Sequence, residues 1–374
     1  MKLDSNKILL YQVLIAIFVA GFLFNVLNKE NTSFESLALG TSTSSYQAKN
    51  RNLEHIHFLH LDSLEMLAFD RLRPQLADSI SLFLGNSQTH SINQMRSGEV
   101  NYVELIDRKM QNQNNVLAFS FPNANLQEHY ICLQYVLSMK KVKELVLPVF
   151  MDDLREDGIR EAFFSGLMNQ AFQIPNNSDV SKNINQQLKT QKVASDEGSS
   201  KPKTTQERTE QFLNNYLNEH TRFWPKRENM RGSIFNWSYM LRNTVFGIRP
   251  GSVRKMIPES YERNLNALEE ILKCAKQKNF RVYLYIPPIR SDVPLPYDLN
   301  EYQQFKKDLI DLCKNYASVA KLKDFSQIVP ARFWGYKDAT NFIDKREIDF
   351  MHFQFQGHQI LADSVWNFVN KRNK

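Results

Sequence analysis

Three hydrophobic patterns alternate along this 374-residue chain. The first is continuous: Ile8–Leu27, ILLYQVLIAIFVAGFLFNVL, carries no charge and only Tyr11, Gln12 and Asn25 as polar interruptions. At ~1.5 Å per residue it is long enough to cross a hydrocarbon core of ~30 Å. The second consists of short apolar runs: Leu82–Leu84, Val116–Phe121, Glu144–Phe150 and Phe280–Ile286, with a weaker fifth inside Ser318–Phe325. Runs of this length and type predict parallel strands covered on both faces. The third is helical spacing, over Leu53–Leu76, Leu126–Met139, Tyr261–Gln277, Leu299–Tyr316 and Gly357–Asn370. Strands alternating with helices through right-handed crossovers predict a three-layer α/β/α sandwich with a mostly parallel five-stranded sheet.

The polar stretches between these patterns set the domain organisation. Asn28–Asn52 is rich in Ser, Thr, Asn and Gly and reads as a tether. Asn176–Gln211 has almost no large apolar residue, so it cannot bury a core and is expected to be a flexible insertion. The basic and aromatic stretch 212–256, with Phe223, Trp224, Phe235, Trp237, Tyr239 and Phe246, reads as a helical cap, a lid, or a contact surface for a substrate or membrane partner. Residues 53–374 then form one α/β domain.

Composition narrows the class. A 42% hydrophobic content supports a sizeable core, and the net charge of +7 favours anionic neighbours without naming one. No basic helix with interleaved aromatics, zinc-finger spacing or RNP-like strand occurs, which argues against nucleic acid as a partner. Cys132, Cys274 and Cys313 lie far apart and form no CxxC pair. Lys2 and Lys7 precede the long apolar run, partly offset by Asp4, while Lys29 and Glu30 cancel beyond it. Residues 1–7 are therefore expected in the cytoplasm, 8–27 as the anchor, and the remainder outside, with the lipid bilayer as a partner. The run exceeds a usual signal core and lacks a small-x-small site after it, which favours an uncleaved anchor over a signal peptide.

Candidate chemistry sits at two ends of the α/β pattern. In SLFLGNSQTHSIN, Ser81–Asn93, an apolar strand runs into Gly85-Asn86-Ser87-Gln88 and a segment able to open a helix. A serine at such a turn combines exposure, backbone N–H donors and the positive end of a helix dipole. A serine hydroxyl needs a base within hydrogen-bond reach, and that base needs its other ring nitrogen held. Asp349-Phe350-Met351-His352, on a turn before the last helix, supplies both: His352 as base and Asp349 as its orienting partner. His90 is the rival base. His55, His57 and His60 read as solvated or core-edge histidines, because no acidic or cysteine partner stands at a metal-ligand spacing. Asn86 is expected to shape the turn, His358 to pack or cap, and Arg290 to lie on the surface, with anion binding as the alternative.

The Gly-Asn-Ser-Gln turn after the first strand, paired with Asp349-x-x-His352-Phe353 ahead of Gly357-His358 and a terminal helix, resembles the SGNH (GDSL-like) hydrolase superfamily. The resemblance covers about Ser81 to the C-terminus apart from the insertion and cap, and implies a flavodoxin-like sandwich. It implies Ser87 as nucleophile and Asp349 and His352 as its partners, with no metal or organic cofactor. With its anchor, the chain is similar to members that modify surface polymers, such as the teichoic-acid D-alanylation and alginate O-acetylation proteins. An esterase or acyltransferase acting on acyl esters of an envelope polysaccharide follows, beside a multi-spanning membrane acyltransferase. A non-catalytic tethered binding protein is the alternative. The chain departs from the family pattern in Asn86, where the name-giving motif has Asp, and lacks a glycine in Phe121-Pro122-Asn123-Ala124-Asn125. Met151-Asp152-Asp153 replaces a Gly-x-Asn-Asp, and an aspartate there repels a developing oxyanion unless protonated. The oxyanion hole is accordingly assigned to the Ser87 backbone N–H and an amide from Asn123 or Asn125.

Overall fold

The computed structural model describes residues 42–370, apart from 111–114, 164–171, 173, 201–204, 222–223 and 225–226. Each apolar run of the sequence becomes a strand of one sheet: β3 Ser79–Gly85, β5 Val116–Ser120, β6 Lys141–Pro148, β7 Arg281–Ile286 and β8 Ala320–Asp324. The sheet has six strands, not five, because β2, His57–Phe58, adds itself beside β5. Two residues are too few to show a period, and His57 gives no apolar signal, so this strand is hidden inside a stretch that otherwise has helical spacing. The helix expected over Leu53–Leu76 is confined to α1, Ser63–Leu72, which the Asp62 side chain caps by accepting from Leu64 N and Glu65 N.

Strand order is β2-β5-β3-β6-β7-β8, and every pairing in it is parallel. The chain steps from β3 to β5 on one side and then to β6 on the other. β3 is therefore the point where the winding reverses, and at the carboxyl edge beside such a point open α/β sheets place their ligand sites. Helices cover both faces. On one, Phe83 and Tyr285 meet Tyr102 of α3 (Tyr102–Lys109), and Tyr283 meets Phe368 of the last helix, Phe355–Asn370. On the other, Phe119 packs against Phe69 of α1, which reaches Tyr135 of α4 (Leu126–Leu137). Leu82, Leu84, Leu117, Leu145, Leu147, Val282 and Leu284 between the layers are fully buried.

The tether expected over 28–52 is structured in its described part. Thr43–Ser45 forms β1, antiparallel to β4 (Ser91–Asn93), and Ala48 is fully buried. A three-residue polar strand draws its order from its partner, so nothing local announces it. The polar run expected as a flexible insertion is helical in α5, Asp179–Ser200, and from Thr205 in α6, Thr205–His220. Among its described side chains Ile184 and Leu188, one turn apart, are the buried aliphatic ones.

By internal packing the chain divides into two units. The larger comprises Ser42–Ser199, Pro250–Lys337 and the chain from Ile348, and holds the sheet. Among the described residues the smaller comprises Ser200–Arg249 and Asp338–Glu347, with α6 and α7 (Arg227–Val245) as its helices. Among the described residues no helix is long and apolar enough to cross a membrane. Ile8–Leu27, expected to do so, lies outside the described residues.

Candidate active site

Ser87 stands two residues beyond the end of β3, at the first position of the four-residue helical turn α2, Ser87–His90. The turn is tight for a steric reason. A Cβ on Gly85 would lie 2.0 Å from Thr89 Oγ1, so only glycine lets the strand hand over to the helix there. Asn86 caps the turn: its Oδ1 accepts from Gln88 N at 3.1 Å while its Nδ2 donates to Asp153 Oδ1 at 3.0 Å. At the first helical position the Ser87 N–H has no intrahelical carbonyl to meet.

Asp349 and His352 arrive on β10, Arg346–Phe353, which pairs with β9, Trp334–Asp338. They were expected on a turn; the strand carries them instead, and the Asp349 side chain makes its own local loop. Asp349 Oδ1 accepts from Met351 N at 3.0 Å and His352 N at 2.9 Å. That arrangement folds the residue back beside the imidazole, and Oδ2 lies 3.0 Å from His352 Nδ1. His352 Nε2 lies 3.0 Å from Ser87 Oγ. All three side chains are buried at the carboxyl edge of the sheet.

Charge fixes the direction of this relay. Burial pushes the Asp349 carboxyl upward, but the facing His352 and its hydrogen bonds outweigh that and hold it at about 2. An ionised Oδ2 accepts the Nδ1–H of His352, so the Nε2 lone pair faces the Ser87 hydroxyl. Gln88 locks the two ends of the chain together, its Nε2 donating to Pro288 O at 2.8 Å and Met351 O at 2.6 Å.

One residue of the site gave no sequence signal. Asn93, fully buried on β4, directs Nδ2 at Asp349 Oδ2 (3.2 Å), Thr43 Oγ1 (3.1 Å) and Tyr336 O (3.2 Å). Gly335 makes the approach possible, since a Cβ there would fall 1.7 Å from Asn93 Oδ1. Six residues after Ser87, at the end of a three-residue strand, it falls on no period that could mark it.

Other candidates are placed elsewhere. Asn125 Oδ1 accepts from Glu128 N at 3.0 Å, in a capping box that opens α4, and its Nδ2 donates to Gly158 O at 2.7 Å. One hydrogen of its amide is thus engaged with Gly158 O. Asn123 is exposed and holds a left-handed turn at φ 52°. Asp152, standing where the superfamily that the chain resembles in sequence has an asparagine, is bonded to the Tyr297 hydroxyl at 2.6 Å and Arg254 Nη1 at 2.7 Å. Asp153 is buried, which holds its carboxyl well above the ordinary range. His90 is not the base for Ser87: its Nδ1 lies 2.7 Å from Ser120 Oγ. Asn101 Oδ1 accepts from Glu104 N, so its Nδ2 donates to His57 Nδ1, and His57 Nε2–H donates to Ser120 at 2.6 Å. Ser120 then donates to His90, and burial keeps both rings neutral, His57 at about 3. This chain braces β2, β5 and the nucleophile turn. Arg290 is buried, not on the surface, its guanidinium on Asp292 and Gly335 O. His358 packs inside, accepting from Tyr102 N and donating to Ser91 O.

Fold and site together define an α/β protein with a Ser-His-Asp relay at the topological switch of a parallel sheet. No protein-family model matches the chain, and no curated protein does. Among solved structures it is similar to LAE5, an alpha/beta hydrolase enzyme from the metagenome of Lake Arreo, Spain, at 10% identity and TM-score 0.38, over 80% of this chain and 98% of that one. It is also similar to Axe2, an acetylxylan esterase from Geobacillus stearothermophilus, at 9% identity and TM-score 0.36, again over 80% and 98%. A mutant of Axe2, described as an acetyl-xylooligosaccharide esterase, gives 10% identity and TM-score 0.35, over 80% of this chain and 96% of that one. Likeness at TM-scores of this size says nothing of chemistry, which is read from Ser87, His352 and Asp349 themselves.

Proposed function

We propose that the protein is a membrane-anchored, SGNH-type serine esterase or O-acyltransferase acting through an acyl-Ser87 intermediate. The observation that carries this reading is the relay itself, 3.0 Å from Ser87 Oγ to His352 Nε2 and 3.0 Å from His352 Nδ1 to Asp349 Oδ2. Ser87 Oγ attacks the ester carbonyl as His352 Nε2 takes its proton, and Asp349 stabilises the imidazolium that forms. Collapse of the tetrahedral adduct expels the alcohol, which leaves with the proton from Nε2. Water or a sugar hydroxyl, deprotonated by His352, then attacks the acyl-serine and releases Ser87. The Ser87 N–H serves the oxyanion.

The uncharged run Ile8–Leu27 supports an extracytoplasmic site held near the membrane, and the resemblance to anchored members supports an acylated envelope polymer as substrate, beside a multi-spanning acyl-transfer partner. The competing reading is a non-catalytic tethered protein of the same fold. It draws support from the bond between Asn125 Nδ2 and Gly158 O, which occupies one hydrogen of an expected oxyanion donor. The full chain in detergent tests both. Acetyl release from p-nitrophenyl acetate is expected to be slow, to vanish in Ser87→Ala, and to quicken with an oligosaccharide acceptor. Equal release by wild type and Ser87→Ala would overturn the catalytic reading, and fast hydrolysis indifferent to the acceptor would overturn transfer.

A further inference from the structure

The helix α7 is built inside out. Its buried positions include Asn236 (7% exposed) and Asn243 (2%), while Ile234, Trp237, Leu241 and Val245 on one stripe are between 39% and 68% exposed. Spacings of three, four and four residues put those four side chains on a single face. The Asp338–Glu347 segment of the same unit extends that face. Asn243 Nδ2 donates to Thr340 O at 2.9 Å, Thr244 Oγ1 accepts from Phe342 N at 3.0 Å, and the Trp237 and Phe342 rings lie 6.0 Å apart. Phe342 and Ile343 are 47% and 69% exposed. A helix that holds its neighbour with an amide and a hydroxyl and turns Trp, Leu, Ile and Val outward is arranged for surroundings less polar than water.

The surrounding charge names those surroundings. Residues 222–249 and 338–347 together carry eight basic residues, Arg222, Lys226, Arg227, Arg231, Arg242, Arg249, Lys345 and Arg346, against four acidic ones, Glu228, Asp338, Asp344 and Glu347, with Asp344 lying 3.6 Å from Arg249. Arg231 and Arg242 are exposed, and the Arg242 guanidinium lies 4.8 Å from the Tyr239 ring centroid. An apolar stripe flanked by arginines complements an anionic lipid surface, with tails below and phosphates at the rim. A polysaccharide would be met by aromatic planes ringed with hydrogen-bonding side chains; here Trp237 and Phe342 are flanked by the aliphatic Ile234, Leu241, Val245 and Ile343, which suit lipid tails. We propose that this face lies in the interface of an anionic bilayer as a second membrane contact, separate from the apolar run Ile8–Leu27 and independent of the chemistry assigned to Ser87. The same segment leads directly into β10, so the chain that carries Asp349 and His352 starts from the lipid-facing loop.

The native cysteines are free and buried, which permits selective nitroxide labelling of introduced ones. Val245→Cys, Ile343→Cys and, as a control on α1, Leu64→Cys would be labelled in the full chain and reconstituted into vesicles. The vesicles are phosphatidylcholine alone or mixed with phosphatidylglycerol, and collisions with oxygen and a water-soluble nickel chelate are compared. The expected result is a several-fold rise in the oxygen-to-nickel ratio at 245 and 343 with phosphatidylglycerol present, no rise at 64, and the same pattern in Ser87→Ala. Labels at 245 and 343 that stay nickel-accessible overturn the proposal, even if the vesicles retain the protein through its N-terminal run. Labels shielded from both reagents also overturn it, because protein then covers the face.

Discussion

Asp349→Asn tests the direction of the relay, and its effect follows from where the two carboxylate oxygens are committed. Oδ1 accepts from the Met351 and His352 amides, at 3.0 and 2.9 Å, so an asparagine must put its carbonyl oxygen there. Its amide nitrogen then occupies the Oδ2 position, facing His352 Nδ1 at 3.0 Å and the Asn93 amide at 3.2 Å. The opposite rotamer sets NH2 against two backbone N–H donors and is worse. With a donor opposite Nδ1, the imidazole adopts the tautomer that carries its proton on Nε2, and Ser87 loses its acceptor. Loss of the correct tautomer in a Ser-His-Asp hydrolase lowers turnover on the order of 10⁴-fold, or about 5.5 kcal/mol at 1.36 kcal/mol per decade. The assay is the pre-steady-state burst of p-nitrophenol from p-nitrophenyl acetate, with circular dichroism confirming the fold. A folded Asp349→Asn protein whose acylation rate stays within about tenfold of wild type would refute the tautomer argument.

Further outcomes follow from the same contacts. Asn93→Ala removes one hydrogen bond to an ionised carboxylate, worth about 1.5–3 kcal/mol, so the acylation rate should fall by about ten- to a hundredfold. A positioning role also moves the midpoint of the pH–rate profile, which a purely structural defect would not do. Gly335→Ala drives a Cβ into Asn93 Oδ1 and should reproduce that pH shift although it touches no member of the relay. Gln88→Leu breaks the two bonds to Pro288 O and Met351 O, so thermal stability and burst amplitude should fall together. Asp349 has a depressed folded-state pKa, so the stability it contributes is present above its unfolded value near 3.9 and is lost as pH falls toward about 2. Urea titrations should show wild type losing on the order of 2 kcal/mol across that window relative to Asp349→Asn.

The sheet was legible because its four inner strands, β5, β3, β6 and β7, are mostly apolar runs whose burial on both faces needs no partner to be recognised, while the edge strand β8, AKLKD, gave only a weak signal. β2 was not, since His57 and Phe58 become a strand only by lying against Ala118 and Phe119. The same holds for β1, whose polar residues take their order from β4. Ser87, Asp349 and His352 could be paired from sequence because nucleophile, base and orienting group obey a chemical requirement that spans any number of residues. The oxyanion assignments had no such requirement behind them, and Asn125 proves to cap α4 while Asn123 holds a turn. Asn93 was missed because its role is set by three contacts from β1, β9 and β10, none near it in sequence. The helical stretches of 176–220 were hidden by composition: two buried aliphatic side chains, Ile184 and Leu188, mark α5 within a polar run.

The central claim, that Ser87 is an activated nucleophile, is tested most directly by covalent labelling. The full chain in detergent would be treated with a fluorophosphonate, and its peptides mapped by mass spectrometry. A single adduct on Ser87, lost in His352→Ala, is the predicted result. A folded protein that leaves Ser87 unmodified, or labels equally without His352, would contradict the account.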